Sequence, residues 1–101
     1  MSTIRREAGL LTLVNVFTVS PEHQQKLVDV LIEATEQTMR HMRGFVSANI
    51  HRSFDGTKVI NYAQWRSRED FEAMTQDPEA KPHMASAAAL AKFEPILCEV
   101  V

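Results

Sequence analysis

Cysteine is almost absent from this chain: Cys98 is the only one in 101 residues. That excludes a disulfide framework and any Cys-x-x-Cys redox or zinc motif. There is no glycine-rich phosphate loop, no His-Glu-x-x-His and no cluster of carboxylates, so neither a nucleotide cofactor nor a metal finds support in the pattern. Positive charge is not in excess either. The formal net charge is −2, and the basic residues bunch only at Arg5-Arg6 and Arg40–Arg43, without interleaved aromatics. A nucleic-acid partner is therefore not expected. No apolar run is long enough to span a bilayer, and "MSTIRREAG" lacks the apolar stretch of a signal peptide. The expected setting is a reducing cytoplasm, with no membrane partner. Low-complexity segments, linkers and internal repeats are also missing.

What is present is an ordinary globular composition, 45% hydrophobic and 24% charged. The length predicts a single domain over residues 1–101, with residues 1–9 as an N-terminal arm. A domain this small has a modest core, and oligomerisation is a common remedy.

"LLTLVNVFTV" (10–19) is rich in β-branched residues and predicts a first strand. Ser20 then offers an N-cap, Pro21 a first helical position and Glu22 a favourable charge near the positive helix end. Leu27, Val30, Leu31 and Ala34 recur at helical spacing, with Thr38 and Met42 extending the stripe to a stop at Gly44. "GFVSANIHRSF" and "TKVINYAQWRS" flank Asp55-Gly56, the signature of a hairpin closed by a type I′ turn. Closing Phe54 on Thr57 places Ile50 opposite Asn61, Ala48 opposite Ala63 and Val46 opposite Trp65. On the other face Asn49 meets Tyr62, Ser47 meets Gln64 and His51 meets Ile60. Ser67 caps a second helix with Asp70 three residues on, and Phe71 and Met74 supply its apolar side. Asp77-Pro78 and Lys81-Pro82 break the chain, "HMASAAALA" reads as a short third helix, and "PILCEVV" closes as a strand begun by Pro95.

Strand, helix, strand, strand, helix, strand is the ferredoxin-like βαββαβ order of an α+β fold: an antiparallel sheet with its helices on one face. The opposite face carries Tyr62, Ile60 and one side of the first strand. A second copy is the economical cover, so a face-to-face homodimer is expected, with Tyr62 in its interface.

The stretch "VINYAQW" raises a chemical question. Val59, Asn61, Ala63 and Trp65 point one way along a strand, so the apolar face carries an amide and an indole N–H. A buried amide without a partner costs about 1–3 kcal/mol. Asn61 is therefore either satisfied by nearby backbone or reserved for a ligand, and the pattern leaves both open. Trp65 suits ordinary packing at a strand end as well as a site role. If the first strand turns Leu11, Leu13, Asn15 and Phe17 toward the helices, Asn15 joins Asn61 in one pocket. His83, after a proline at a helix start, suits a capping or surface role. It is also the one imidazole expected near the mouth of such a pocket, a side chain of the type that serves as proton acceptor. His23 and His41 are expected to face solvent.

The run "GFVSANIHRSFDGTKVINYAQWRSREDFEAM" resembles the antibiotic biosynthesis monooxygenase family, most closely its actinorhodin-type and nogalamycin-type members. The likeness covers most of the chain, is densest from Gly44 to Phe71 and fades after Asp77. The resemblance implies a dimeric α+β barrel that oxidises polycyclic phenols or anthrones to quinones with O₂, without flavin, haem or metal. It further implies that Asn61 and Trp65 take part in turnover, that Asn15 matches a first-strand asparagine and that His83 matches a histidine opening the third helix. His51 also has a counterpart, but the hairpin register puts it on the face opposite Asn61. Two departures stand out: Phe71 replaces a pocket tyrosine, and an arginine of the third helical region has no counterpart near His83 and Met84.

On this reading Asn61, Trp65 and His83 are the catalytic candidates. Asn15, Ile50, Phe71, Met74 and Leu31 would line a substrate pocket between sheet and helices. Asn61 and the Trp65 indole would hydrogen-bond a substrate oxygen and favour its anion, which then passes an electron to O₂. Neither is a base at neutral pH, so His83 or water must take the proton. Three other classes compete: an isomerase or cyclase using the same anion, a binding protein without turnover, and a haem degrader. The haem degraders of this fold carry a tryptophan on the second helix, where this chain has Met74, and are set aside. The natural substrate is not legible in the sequence.

Overall fold

The computed structural model describes residues 9–101. The expected N-terminal arm lies outside the described residues except for Gly9. Four strands, β1 (Leu11–Thr18), β2 (Phe45–Arg52), β3 (Lys58–Trp65) and β4 (Lys92–Glu99), form one antiparallel sheet in the order β2-β3-β1-β4. Helices α1 (Gln24–Gln37), α2 (Arg68–Gln76) and α3 (Lys81–Leu90) lie over one face. This is the ferredoxin-like arrangement expected from the element order.

Alternation along β1 and β3 decides which face is the core. Leu13 and Phe17 of β1 are buried opposite Ala63 and Val59 of β3. Leu27 and Val28 of α1 and Ala87 of α3 pack with Phe17, Val19 and Val59 into a largely aliphatic cluster, with Ile50 packed against it. Each large side chain fully buried here contributes about 1.5–3 kcal/mol. A second cluster sits at the other end of the sheet: Trp65, Met74 and Ala80, flanked by Phe45, Phe71, Met39, Met42 and Met84.

The hairpin register holds from Ser47 to Arg52, with Ile50 facing Asn61 and His51 facing Ile60. Two expectations about its ends fail. The connection is a four-residue loop, Phe54–Thr57, closed by the Ser53 N–H donating to the Lys58 carbonyl at 3.0 Å. Asp55 does not have positive φ, which rules out the type I′ turn; only Gly56 does here, at +83°. The Asp55 carboxylate instead accepts from Ser53 Oγ (2.7 Å), the Thr57 N–H (2.9 Å) and Thr57 Oγ1 (2.7 Å). Those bonds hold its carboxyl down to about 2, because they favour the ionised form. The closing pair lies one step further out than Phe54–Thr57, so the register survives the wrong turn.

At the far end Trp65 pairs with Phe45, not Val46. A β-bulge lies between Phe45 and Ser47. The extra residue re-aims the chain, as bulges do: Val46 turns to solvent and Phe45 turns inward onto Trp65.

Three boundaries also differ. α1 stops at Gln37 and is followed by a 3₁₀ turn, Met39–His41, so it does not run on to Gly44. Pro21 opens the helical segment as a 3₁₀ turn, and the Ser20 hydroxyl makes no capping bond. Gly44 still matters, with φ +84° and the Asp70 side chain filling the space a Cβ would need. Lys81-Pro82 lies inside the first turn of α3, where a missing N–H costs nothing. β4 begins at Lys92, which leaves Pro95 in mid-strand opposite Asn15. The sheet tolerates it because β4 is an edge strand. Ser67 does cap α2, accepting from the Asp70 N–H at 3.1 Å.

Candidate active site

Between the two clusters the sheet and helices do not meet. The cavity left there has a volume of about 180 Å³. Its floor is the inner face of β1 and β3: Leu13 and Asn15 beside Ala63 and Asn61. α1 contributes Leu31 and Ala34, α2 contributes Phe71 and Met74, and α3 contributes His83 and Met84. Phe93 and Pro95 of β4 complete the open side.

Asn15 and Asn61 are direct partners across the β1–β3 ladder. The Oδ1 atom of each is buried with no hydrogen-bond partner among the described residues. Leaving one buried acceptor unpaired costs about 1–3 kcal/mol, and here two stand side by side in a largely apolar chamber. Neighbouring backbone does not satisfy them, so they are open to whatever enters. An amide also carries two N–H donors, so the pair can grip an oxygen in either protonation state.

Trp65, 2% exposed, is held edge-on by two rings: Phe45 at 5.5 Å and 89°, Phe71 at 6.3 Å and 70°. These T-shaped contacts fix the indole plane. His83 lines the chamber from the first turn of α3, and its Nε2 lies 3.0 Å from Thr38 Oγ1 at the end of α1. His83 is thus neither a cap nor a free surface group.

The structure brings together seven of the eight candidates: Asn15, Asn61, Trp65, His83, Phe71, Met74 and Leu31. Ile50 is not among the lining residues; it packs into the aliphatic cluster one position along the sheet. His51 is exposed on the outer face, its Nδ1 3.0 Å from the Asn49 carbonyl. Tyr62 is also on the outer face, opposite Val14. Sequence reasoning missed Phe45, Phe93 and Thr38. Phe45 was hidden by the bulge. Phe93 was hidden by starting β4 too late, although it alternates with Pro95 and Leu97. Thr38 was read only as part of an apolar stripe. Among the described residues no group of three or more His, Cys, Asp or Glu is placed to hold a metal ion, and no helix is long and apolar enough to cross a membrane.

Residues 10–86 match the antibiotic biosynthesis monooxygenase family. The chain belongs to that family. It is 52% identical over 100 residues to the tetracenomycin-F1 monooxygenase of Streptomyces glaucescens, covering 99% of this chain and 89% of the relative. Among solved structures, SnoaB of Streptomyces nogalater, a cofactor-independent oxygenase, superposes with a TM-score of 0.79 at 26% identity, over 92% of this chain and 94% of that one. The ActVA-Orf6 monooxygenase of Streptomyces coelicolor, solved with nanaomycin D bound, gives 0.79 at 28% identity, over 92% and 88%. The chain is therefore an enzyme, a monooxygenase of this family, and the expectation of chemistry without a cofactor agrees with SnoaB.

Proposed function

We propose that this enzyme oxidises a polycyclic, polyketide-type phenol or anthrone to the quinone with O₂, through the substrate's own anion. The observation that carries the reading is the pair of unpartnered amides, Asn15 and Asn61, facing an apolar chamber large enough for fused rings. The 52% identical tetracenomycin-F1 monooxygenase and the nanaomycin D bound by ActVA-Orf6 support the substrate class.

In this mechanism the rings slide between Phe71, Met74, Leu31 and the sheet, and a ring oxygen meets Asn61 and the Trp65 indole N–H, with Asn15 alongside. Preorganised donors in a dry site stabilise charge as it develops. The substrate loses a proton to His83 or water and becomes an enolate. The enolate gives one electron to O₂, and the carbon radical and superoxide combine to a peroxide anion. That anion takes a proton back, then loses water across the O–O bond to leave the new carbonyl. Asn61, Trp65 and His83 act on the reacting atoms, and the other residues hold the rings.

We further propose that the enzyme works as a homodimer in the cytoplasm. Val14, Val16, Ile60 and Tyr62 share the sheet face away from the helices. Along β4, Ile96 is 42% exposed on that face. A second copy laid face to face would cover these groups.

The test is O₂ consumption by metal-free, flavin-free protein against a panel of anthrones and dihydroxynaphthalenes, read beside quinone absorbance. Uptake matched by quinone is expected. Tight binding without uptake would turn the reading toward an isomerase or a carrier.

A further inference from the structure

The chamber has a polar neighbour. A second, open groove lies on the other side of Thr38 and Met74, lined by His41, Arg43, Glu69, Asp70, Asp77 and Glu79. Met74 borders both spaces, so the wall between them is one side chain thick. Thr38 borders the groove, and its hydroxyl is bonded to His83, which borders the chamber. A side-chain hydrogen bond of 3.0 Å thus crosses this wall and joins the Thr38 hydroxyl to an imidazole.

The backbone sets that hydroxyl's direction. Thr38 ends α1, its N–H donating to the Ala34 carbonyl at 3.1 Å, and its own carbonyl accepts from the His41 N–H at 3.2 Å. With the residue pinned from both sides, Oγ1 is a fixed partner for the ring. A hydroxyl can accept from Nε2–H or donate to a bare Nε2, so this bond serves either tautomer of the ring. Nε2 is engaged by Thr38, so Nδ1 is the nitrogen left for a ligand.

We propose that Thr38 is a positioning residue for His83, and that its hydroxyl links the chamber imidazole to the open groove as a two-way proton path. The inference rests on the oxidation reading for its purpose but on the Thr38–His83 geometry for its substance. In the forward direction Nδ1 takes the proton whose loss makes the substrate's enolate, Nε2–H passes its proton to Oγ1, and the Oγ1 proton goes to water in the groove. The ring ends neutral, as the other tautomer, so no imidazolium is stranded in an apolar chamber, where unpaired charge is costly. Reversal of the three transfers returns one proton to the peroxide anion and restores the starting tautomer. Charge balances over the cycle, and bulk water stays outside.

The test uses the full chain as Thr38→Val, which keeps the shape and removes the hydroxyl, and Thr38→Ser, which keeps the hydroxyl. Two readouts are taken. One is the ¹⁵N signature of the His83 ring without substrate, assigned with His83→Gln. The other is steady-state quinone formation from an anthrone. Thr38→Val is expected to shift the His83 ring nitrogens and to lower kcat roughly tenfold with KM within about twofold, part of the 10²–10⁴-fold that general acid–base catalysis contributes. Thr38→Ser should restore both. Unchanged His83 nitrogens in Thr38→Val, or a serine variant as slow as the valine, would overturn the proposal. If wild type forms no quinone, the oxidation reading fails, and the ring signature still decides whether Thr38 holds the His83 ring.

Discussion

The two ends of the layer between sheet and helices are built differently. At one end Phe17, Leu27, Val28, Val59 and Ala87 interlock, and Leu27 and Val59 are wholly excluded from solvent. At the other, Trp65, Met74 and Ala80 are surrounded by Phe45, Phe71, Met39, Met42 and Met84, and a chamber is left open beside them. Branched aliphatic side chains of fixed shape dominate the first, and of its buried members Phe17 and Ala87 also reach the chamber wall. Rings and thioethers suit the second, since methionine adapts to a changing occupant. Asn15 and Asn61 sit at the seam, Asn61 two residues along β3 from Val59 and Asn15 two along β1 from Phe17. Stability is concentrated on one side of that seam and the chemistry on the other, as expected when a site is kept at some cost to stability.

The largest effect should come from breaking the filled end. Leu27→Ala is expected to destabilise the fold by about 2–5 kcal/mol, as large-to-small changes in a closed core do. A urea titration would read it as a lower midpoint at unchanged m-value. The protein that remains folded should keep the wild-type KM, because Leu27 does not line the chamber. Asn61→Leu should do the reverse. Turnover should fall roughly 10²–10³-fold, the usual loss when a donor to a developing oxyanion goes, while the thermal midpoint holds or rises because an unpaired buried amide has been removed. A variant that lost both activity and stability would mean that Asn61 is structural.

Smaller changes sharpen the contrast. Phe45→Leu removes one of the two rings that fix the Trp65 plane, and kcat should drop by about threefold to tenfold for a misplaced indole. The same substitution at Phe54, fully exposed at the hairpin tip, should change nothing measurable. Acid should act at the tip. Asp55 carries a depressed pKa of about 2, so its contribution is complete above the ordinary carboxylate value of 3.8. It is lost as pH falls toward about 2. Asp55→Asn should flatten that part of the acid unfolding curve slightly and leave the activity profile untouched.

How much of this was legible in the sequence follows the same seam. Alternation in "VINYAQW" and the helical stripe of α1 report directly on burial, so the fold, the core face and a pocket shared by Asn15 and Asn61 could be read in advance, though not that the two pair directly across the ladder. Phe45 could not, because a bulge shifts the side-chain phase by one residue and nothing in "GFVSAN" marks it. Phe93 was lost to the assumption that a proline starts a strand, when an edge strand admits it anywhere its N–H would face outward. Ile50 was placed in the pocket because it faces Asn61. It proves to point to the filled end, since neighbours across a ladder need not share a cavity. His83 looked like a helix-start residue until the end of α1 was folded against it.

The measurement to make first is anaerobic. With O₂ removed, wild-type protein mixed with an anthrone should shift the ligand's absorbance to that of its enolate, and Asn61→Leu should bind the same ligand without the shift. Admitting O₂ should then discharge the band into quinone. A ligand that stays neutral in the wild-type chamber, yet is still oxidised when O₂ is admitted, would contradict anion stabilisation by the paired amides as the source of the chemistry.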